Sequence, residues 1–199
     1  DRELWERGLR CLLSTLQRFC PRCPSLLFEV LWALNRAMES AAGAGVAAEL
    51  PREILLSGGV SGLIVEILQS GHAGAPLDSN SDEDGVDLAF EALLTLCLLE
   101  GAPALRQAME ALSESRSVHV AACRVIVEFY RLGHRFPSME ECALARAGVI
   151  CAATRWSGDV LVASPDVQMH AELALGAITQ MEPLAMSSTV QVPQVPDAG

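Results

Sequence analysis

Cys20 and Cys23 are separated only by Pro21 and Arg22. That is the spacing of half a zinc site or of a dithiol redox pair. Zinc takes four protein ligands when structural, and neither a second Cys-x-x-Cys nor a His pair accompanies this one. A redox pair normally stands at a helix start near a strand. No stretch reads as a strand, so the pair is expected to be two cysteines in a proline-kinked turn. His119 and Cys123 share one helix four residues apart, with His134 and Cys142 further on. A metal site or a Cys/His nucleophile would need a third orienting group, which the sequence does not supply, so a core cysteine and a surface histidine are expected. His72 and His170 stand alone and receive no role. No Ser/His/Asp set, phosphate-cradling glycine loop or framed carboxylate pair is found. Catalysis, cofactors, metal and a small-molecule substrate are therefore not expected.

The acidic run Asp78-Ser79-Asn80-Ser81-Asp82-Glu83-Asp84 has two readings. It is either a solvated insertion, or a phosphorylation site at Ser79 and Ser81, where acids just downstream suit acid-directed kinases. Calcium binding by Asp78, Asp82 and Asp84 lacks the ordered loop spacing and the closing glutamate. Arg124, Glu128 and Arg131, together with Asn35, Arg36 and Glu39, form the polar edges of two apolar helices. Arg124 and Glu128 are spaced to pair within one helix.

The elements that must position these residues are helices throughout. Apolar residues recur near every 3.6 positions over residues 1–19, 25–39, 60–69, 86–99, 104–112, 117–132 and 165–180. Pro51 opens a short helix ending near Ser57, and Gly58-Gly59 turns the chain after it. Ser117 is expected as an N-cap and Gly133 as a C-terminal stop. Ser138 and Glu141 have capping-box spacing. That helix is expected to end near Ala147, with Gly148 opening another to Trp156. Residues 71–85 read as a disordered acidic loop and residues 182–199 as a flexible tail.

Composition agrees with packed helices. Of 199 residues, 51% are apolar but only 5% aromatic, so Leu, Ala and Val must fill the core, which favours close helix packing. The net charge is −11 and all the basic residues are arginine. Such a field does not draw nucleic acid or anionic lipid. No apolar run approaches the roughly 18 residues of a membrane span. The seven cysteines, mostly within apolar patterns such as those around Cys11, Cys97, Cys123, Cys142 and Cys151, read as reduced, buried thiols of a cytoplasmic or nuclear protein. A first residue that is not Met suggests a piece of a longer chain.

One frame recurs. Gly59-Leu63-Ile67 is echoed by Gly8-Leu12-Leu16, Gly101-Leu105-Met109 and Gly148-Ala152-Trp156, with glycines 51, 42 and 47 residues apart. A longer Ala/Leu-rich helix follows each. This alternation over residues 1–181 resembles the armadillo family, and the related HEAT repeats, whose units run about 40 residues. The local matches are the stretch from Ser57 to Leu68 for a second helix and Leu31-Trp32-Ala33-Leu34-Asn35 for a third. In nuclear-import armadillo adaptors a Trp and an Asn four residues later hold the bound peptide. Here Trp32 and Asn35 are three apart and the pattern occurs once, which argues against import cargo. The chain is also similar to the armadillo-like part of proteins needed for meiotic recombination, which would imply a chromosome synapsis factor.

The expected fold is all-α, a right-handed armadillo/HEAT-like solenoid of about four degenerate repeats. The resemblance implies a non-catalytic scaffold that binds a protein partner on a concave face through Trp32, Asn35, Arg36, Glu39, Arg124, Glu128 and Arg131. The alternative is a structural spacer within a larger solenoid.

Overall fold

The computed structural model describes residues 2–20, 22–41, 49–70, 82–157 and 164–181. Among them the regular structure is all helical: α1 (Arg2–Phe19), α2 (Pro24–Ser40), α3 (Glu49–Ser57), α4 (Val60–Gln69), α5 (Asp82–Glu100), α6 (Ala102–Ala111), α7 (Arg116–Arg131), α8 (Met139–Arg155) and α9 (Pro165–Met181). None of these helices is long and apolar enough to cross a membrane.

Local chemistry fixes most of the boundaries. Gly59 and Gly101 precede α4 and α6 with φ of 73° and 80°, a region that L side chains adopt only at a cost. The first turn of α6 is also capped from a distance, because Glu141 of α8 accepts the Ala102 N–H at 3.2 Å. Ser138 caps α8 as its spacing predicts, accepting from the Glu141 N–H. After α7, Gly133 has φ 79°. The Gly133 and His134 N–H groups return to the Tyr130 and Phe129 carbonyls, a Schellman ending that satisfies the last turn.

Several expectations need correction. The N-cap of α7 is Ser115, whose side chain accepts from Val118 N–H, and Ser117 lies inside the helix. Helix α8 runs unbroken through Gly148, since one glycine costs a helix only about 1 kcal/mol and the neighbouring apolar positions stay buried. Helix α5 begins at Asp82, so the last four residues of the expected loop are helical. Residues 71–81, with Ser79 and Ser81, and the tail 182–199 lie outside the described residues.

Helices α2, α5, α7 and α9 form a row in which each packs broadly on the next. Helix α1 lies on α2, α4 and α6 lie on α5, and α8 lies on α6 and α9. One apolar core runs from Leu9 to Met181. Leu31 and Leu34 of α2, Leu93 and Leu94 of α5, Val125 of α7 and Ala174 of α9 are all fully buried along the row. The recurring glycine frame is only partly structural. Its apolar members Leu16, Ile67, Leu105, Met109 and Ala152 are buried. Gly59 and Gly101 precede their helices, whereas Gly8 and Gly148 lie within α1 and α8.

Candidate functional site

The residues singled out on α2 and α7 come together on either side of α5. On α2, Trp32 keeps 46% of its surface exposed. Arg36 bonds Glu39 one turn on, at 2.5 Å. On α7, Arg131 grips both oxygens of Glu128, at 2.5 and 2.7 Å. Arg131 holds the Glu128 carboxyl below its usual range, burial opposes this, and the more distant Arg36 reinforces it. The charges of α2 and α7 therefore act on one another across the row.

Two expectations change here. Arg124 does not pair with Glu128. Its guanidinium bonds Asp87 of α5 at 2.8 Å and lies 5.0 Å from the Phe90 ring centre. The within-helix bond loses to a partner on the neighbouring helix that adds a cation–π contact. Nor does Asn35 lie on the polar edge. It is completely buried, where its amide donates to the Glu91 carboxylate at 2.6 Å and to the Glu91 carbonyl at 3.0 Å. Its own carbonyl accepts from Thr95 at 2.8 Å. Asn35 is committed to holding α2 on α5 and presents nothing to a partner. Burial pushes the Glu91 carboxyl up, Asn35 and Arg36 pull it down, and Glu39 and Asp87 push it up again.

Asp87, Phe90 and Glu91 were missed because α5 reads as apolar on most sides. The available signal was the pair of acids four apart, Asp87 and Glu91, on one face of that helix. Further along, α5, α7 and α9 enclose a groove of about 400 Å³ lined by Asp87, Arg116, Arg124, Asp166, Met169 and His170. Arg116 donates to Ser164 at 2.8 Å and pairs with Asp166. Burial, then the charge of Arg124, lowers the His170 pKa, against the pull of Asp166. Each wall thus supplies an aspartate that fixes one arginine of the α7 floor. The groove can offer oriented guanidinium donors beside the apolar surface of Met169.

The cysteine and histidine candidates are not assembled for catalysis. His119 is buried, contrary to expectation. Its Nδ1 lies 2.8 Å from the Ser115 carbonyl and its ring meets the edge of Trp156. Burial pushes the Cys123 thiol up to about 12, so it is not a thiolate near neutrality. His134 stacks on Phe129. Cys11 and Cys151 are exposed rather than buried, while Cys97 and Cys142 are buried as expected. Among the described residues no group of three His, Cys, Asp or Glu side chains could hold a metal ion.

No protein-family model matches the chain, and no curated protein and no solved structure matches it.

Proposed function

We propose that this chain is a non-catalytic protein–protein interaction scaffold, a segment of a larger helical-repeat protein that binds its partner along the row α2, α5, α7 and α9. The observation that carries the reading is the composition of that face. Exposed Trp32 stands on the same helix as the Arg36–Glu39 pair, and the Arg124–Asp87 and Arg131–Glu128 pairs continue the band on the next two helices. Trp and Arg dominate binding energy where partners dock, and arginines held by acids on their own chain arrive pre-oriented. The row of four long helices, each packed on the next and backed by α1, α4, α6 and α8, supports an armadillo/HEAT-like solenoid, in which such a face takes extended or helical segments. Asn35 drops out of the proposed contact set; Trp32, Arg36, Glu39, Arg124, Glu128 and Arg131 remain.

A second reading, a structural spacer within a larger solenoid, is favoured by the exposure of Leu4 on α1 (72%) and Leu173 on α9 (55%), apolar surface that neighbouring repeats would cover. Affinity purification from cell lysate separates the two, with wild type beside Trp32→Ala and beside a variant reversed at Arg36, Arg124 and Arg131. A specific protein retained by wild type and lost from both variants supports the scaffold. Equal capture by all three removes the proposed face. Recovery of chaperones alone favours the spacer.

A further inference from the structure

We infer that a pocket between the last turn of α2 and the first turn of α3 takes a lysine side chain of the partner. The inference rests on the scaffold reading and adds to it the chemistry of one partner residue. The pocket holds about 240 Å³ and is lined by Met38 and Glu39 of α2, Glu49, Pro51 and Arg52 of α3, Leu98 of α5 and His134 after α7. Glu39 belongs both to this pocket and to the proposed face. Its carboxylate is only half used. Oε2 accepts from Arg36 at 2.5 Å, whereas Oε1 is buried and has no hydrogen-bond partner. Even Arg52, which lines the same pocket, does not satisfy it. The buried acid of α5, Glu91, has the Asn35 amide as its donor, and Glu39 has no counterpart for its second oxygen. A buried carboxylate oxygen without a donor costs free energy that an incoming cation removes. The Glu39 side chain keeps 15% of its surface exposed, and a carboxylate turns readily about its last bond. That turn presents Oε1 to the pocket without moving α2.

The lining selects lysine. Met38, Pro51 and Leu98 offer apolar surface to a long aliphatic stem whose charged end stays on polar groups. A single unused oxygen suits the point charge of an ammonium. A guanidinium fork seeks two parallel acceptors, and Arg36 already holds the second one. Glu49, exposed on α3, adds a further acceptor for the ammonium protons. The net charge of −11 steers a basic segment towards the chain. The sequence contains no lysine of its own, so a second copy of it cannot supply the occupant.

The test titrates the full chain, carrying isotope-labelled methionine methyls, with N-acetyl-lysine methylamide and follows the methyl resonances. Met38 should shift saturably, while buried Met109 and Met181 and exposed Met139 stay in place and report an intact fold. Glu39→Gln keeps the shape and removes the charge, and should weaken binding about tenfold or more. Arg52→Ala removes a repelling charge and should tighten it. The norleucine analogue, which lacks only the ammonium, should not bind, and the arginine analogue should bind more weakly than the lysine one. The titration needs no partner, and Trp32→Ala should leave it unchanged, so failure of the pocket is told apart from failure of the face in the capture experiment. A Met38 resonance that never moves, an equal response to the norleucine analogue, an arginine analogue that binds as tightly as lysine, or undiminished binding by Glu39→Gln each overturns the inference.

Discussion

The Asn35 amide of α2 meets the Glu91 carboxylate of α5 at 2.6 Å in a site where both residues are nearly inaccessible. A buried amide and a buried carboxyl are tolerated together because each satisfies the other. The Thr95 hydroxyl closes the set, its one proton shared between the Asn35 side-chain oxygen and the Glu91 carbonyl, each 2.8 Å away.

Replacing Asn35 by leucine keeps the volume but removes the three bonds made by its own amide group, leaving only the Thr95 bond to the Glu91 carbonyl. The buried Glu91 carboxyl then loses its side-chain donor while Thr95 keeps the Glu91 carbonyl, at a cost of about 2–4 kcal/mol. Urea unfolding followed by circular dichroism should show a clearly lower midpoint. Glu91→Gln keeps an acceptor for Asn35 while discarding a desolvated charge, and should raise the midpoint at neutral pH. A leucine variant as stable as wild type would mean that this link does not seat α2.

Acid should weaken the fold through His119. Burial lowers its pKa from 6.5, partly opposed by the bond to Ser115. The folded chain keeps it neutral, whereas the unfolded chain takes up a proton below about pH 6.5. Its contribution is complete above that pH and is lost as pH falls through the folded value, with a slope of at most about 1.4 kcal/mol per pH unit. Glu91 runs the other way. Its pKa is raised above 4.5, so its contribution is complete below 4.5 and is lost as pH rises through the folded value. Unfolding titrations from pH 7 to 5.5 should show a decline in wild type that His119→Gln reduces, leaving the part supplied by His170, whose pKa is also lowered. An unchanged decline would clear His119.

The recurring glycines should respond to alanine with opposite signs. Gly8 lies inside α1 with nothing near a new methyl group, so Gly8→Ala should stabilise by about 0.5–1 kcal/mol. Gly59 also has open space but has φ 73°, and Gly59→Ala should cost about 1–2 kcal/mol. Gly101→Ala should cost more. Its Cβ would lie 2.7 Å from Glu141 Oε2 and displace the carboxylate that caps Ala102. Thermal denaturation of the three variants checks the order, and equal shifts would contradict it.

The partner of Arg124 can be found by charge exchange. Both side chains of the Arg124–Asp87 pair are partly exposed, so Arg124→Asp should cost no more than about 1 kcal/mol in stability. Adding Asp87→Arg should recover the loss in a double-mutant cycle. Recovery by Glu128→Arg instead would restore the within-helix pairing expected from spacing alone.

The sequence by itself determined the helices. Periodic apolar positions marked seven of the nine described helices to within four residues, and Pro51 and the Ser138 capping spacing marked the other two, apart from the split placed at Gly148. Ser138, Gly59 and Gly133 marked boundaries because capping and positive φ depend on a few adjacent residues. Neighbours on other helices decided the rest. Spacing made Asn35 a surface residue and paired Arg124 with Glu128, because a helical wheel carries no information about the next helix. Only when α5 lies between α2 and α7 do Glu91 and Asp87 claim those two side chains. A local pattern fixes backbone conformation within a turn or two, whereas polar partners separated by 37 or 56 residues, as in Arg124–Asp87 and Asn35–Glu91, are chosen by which faces the common core brings into contact.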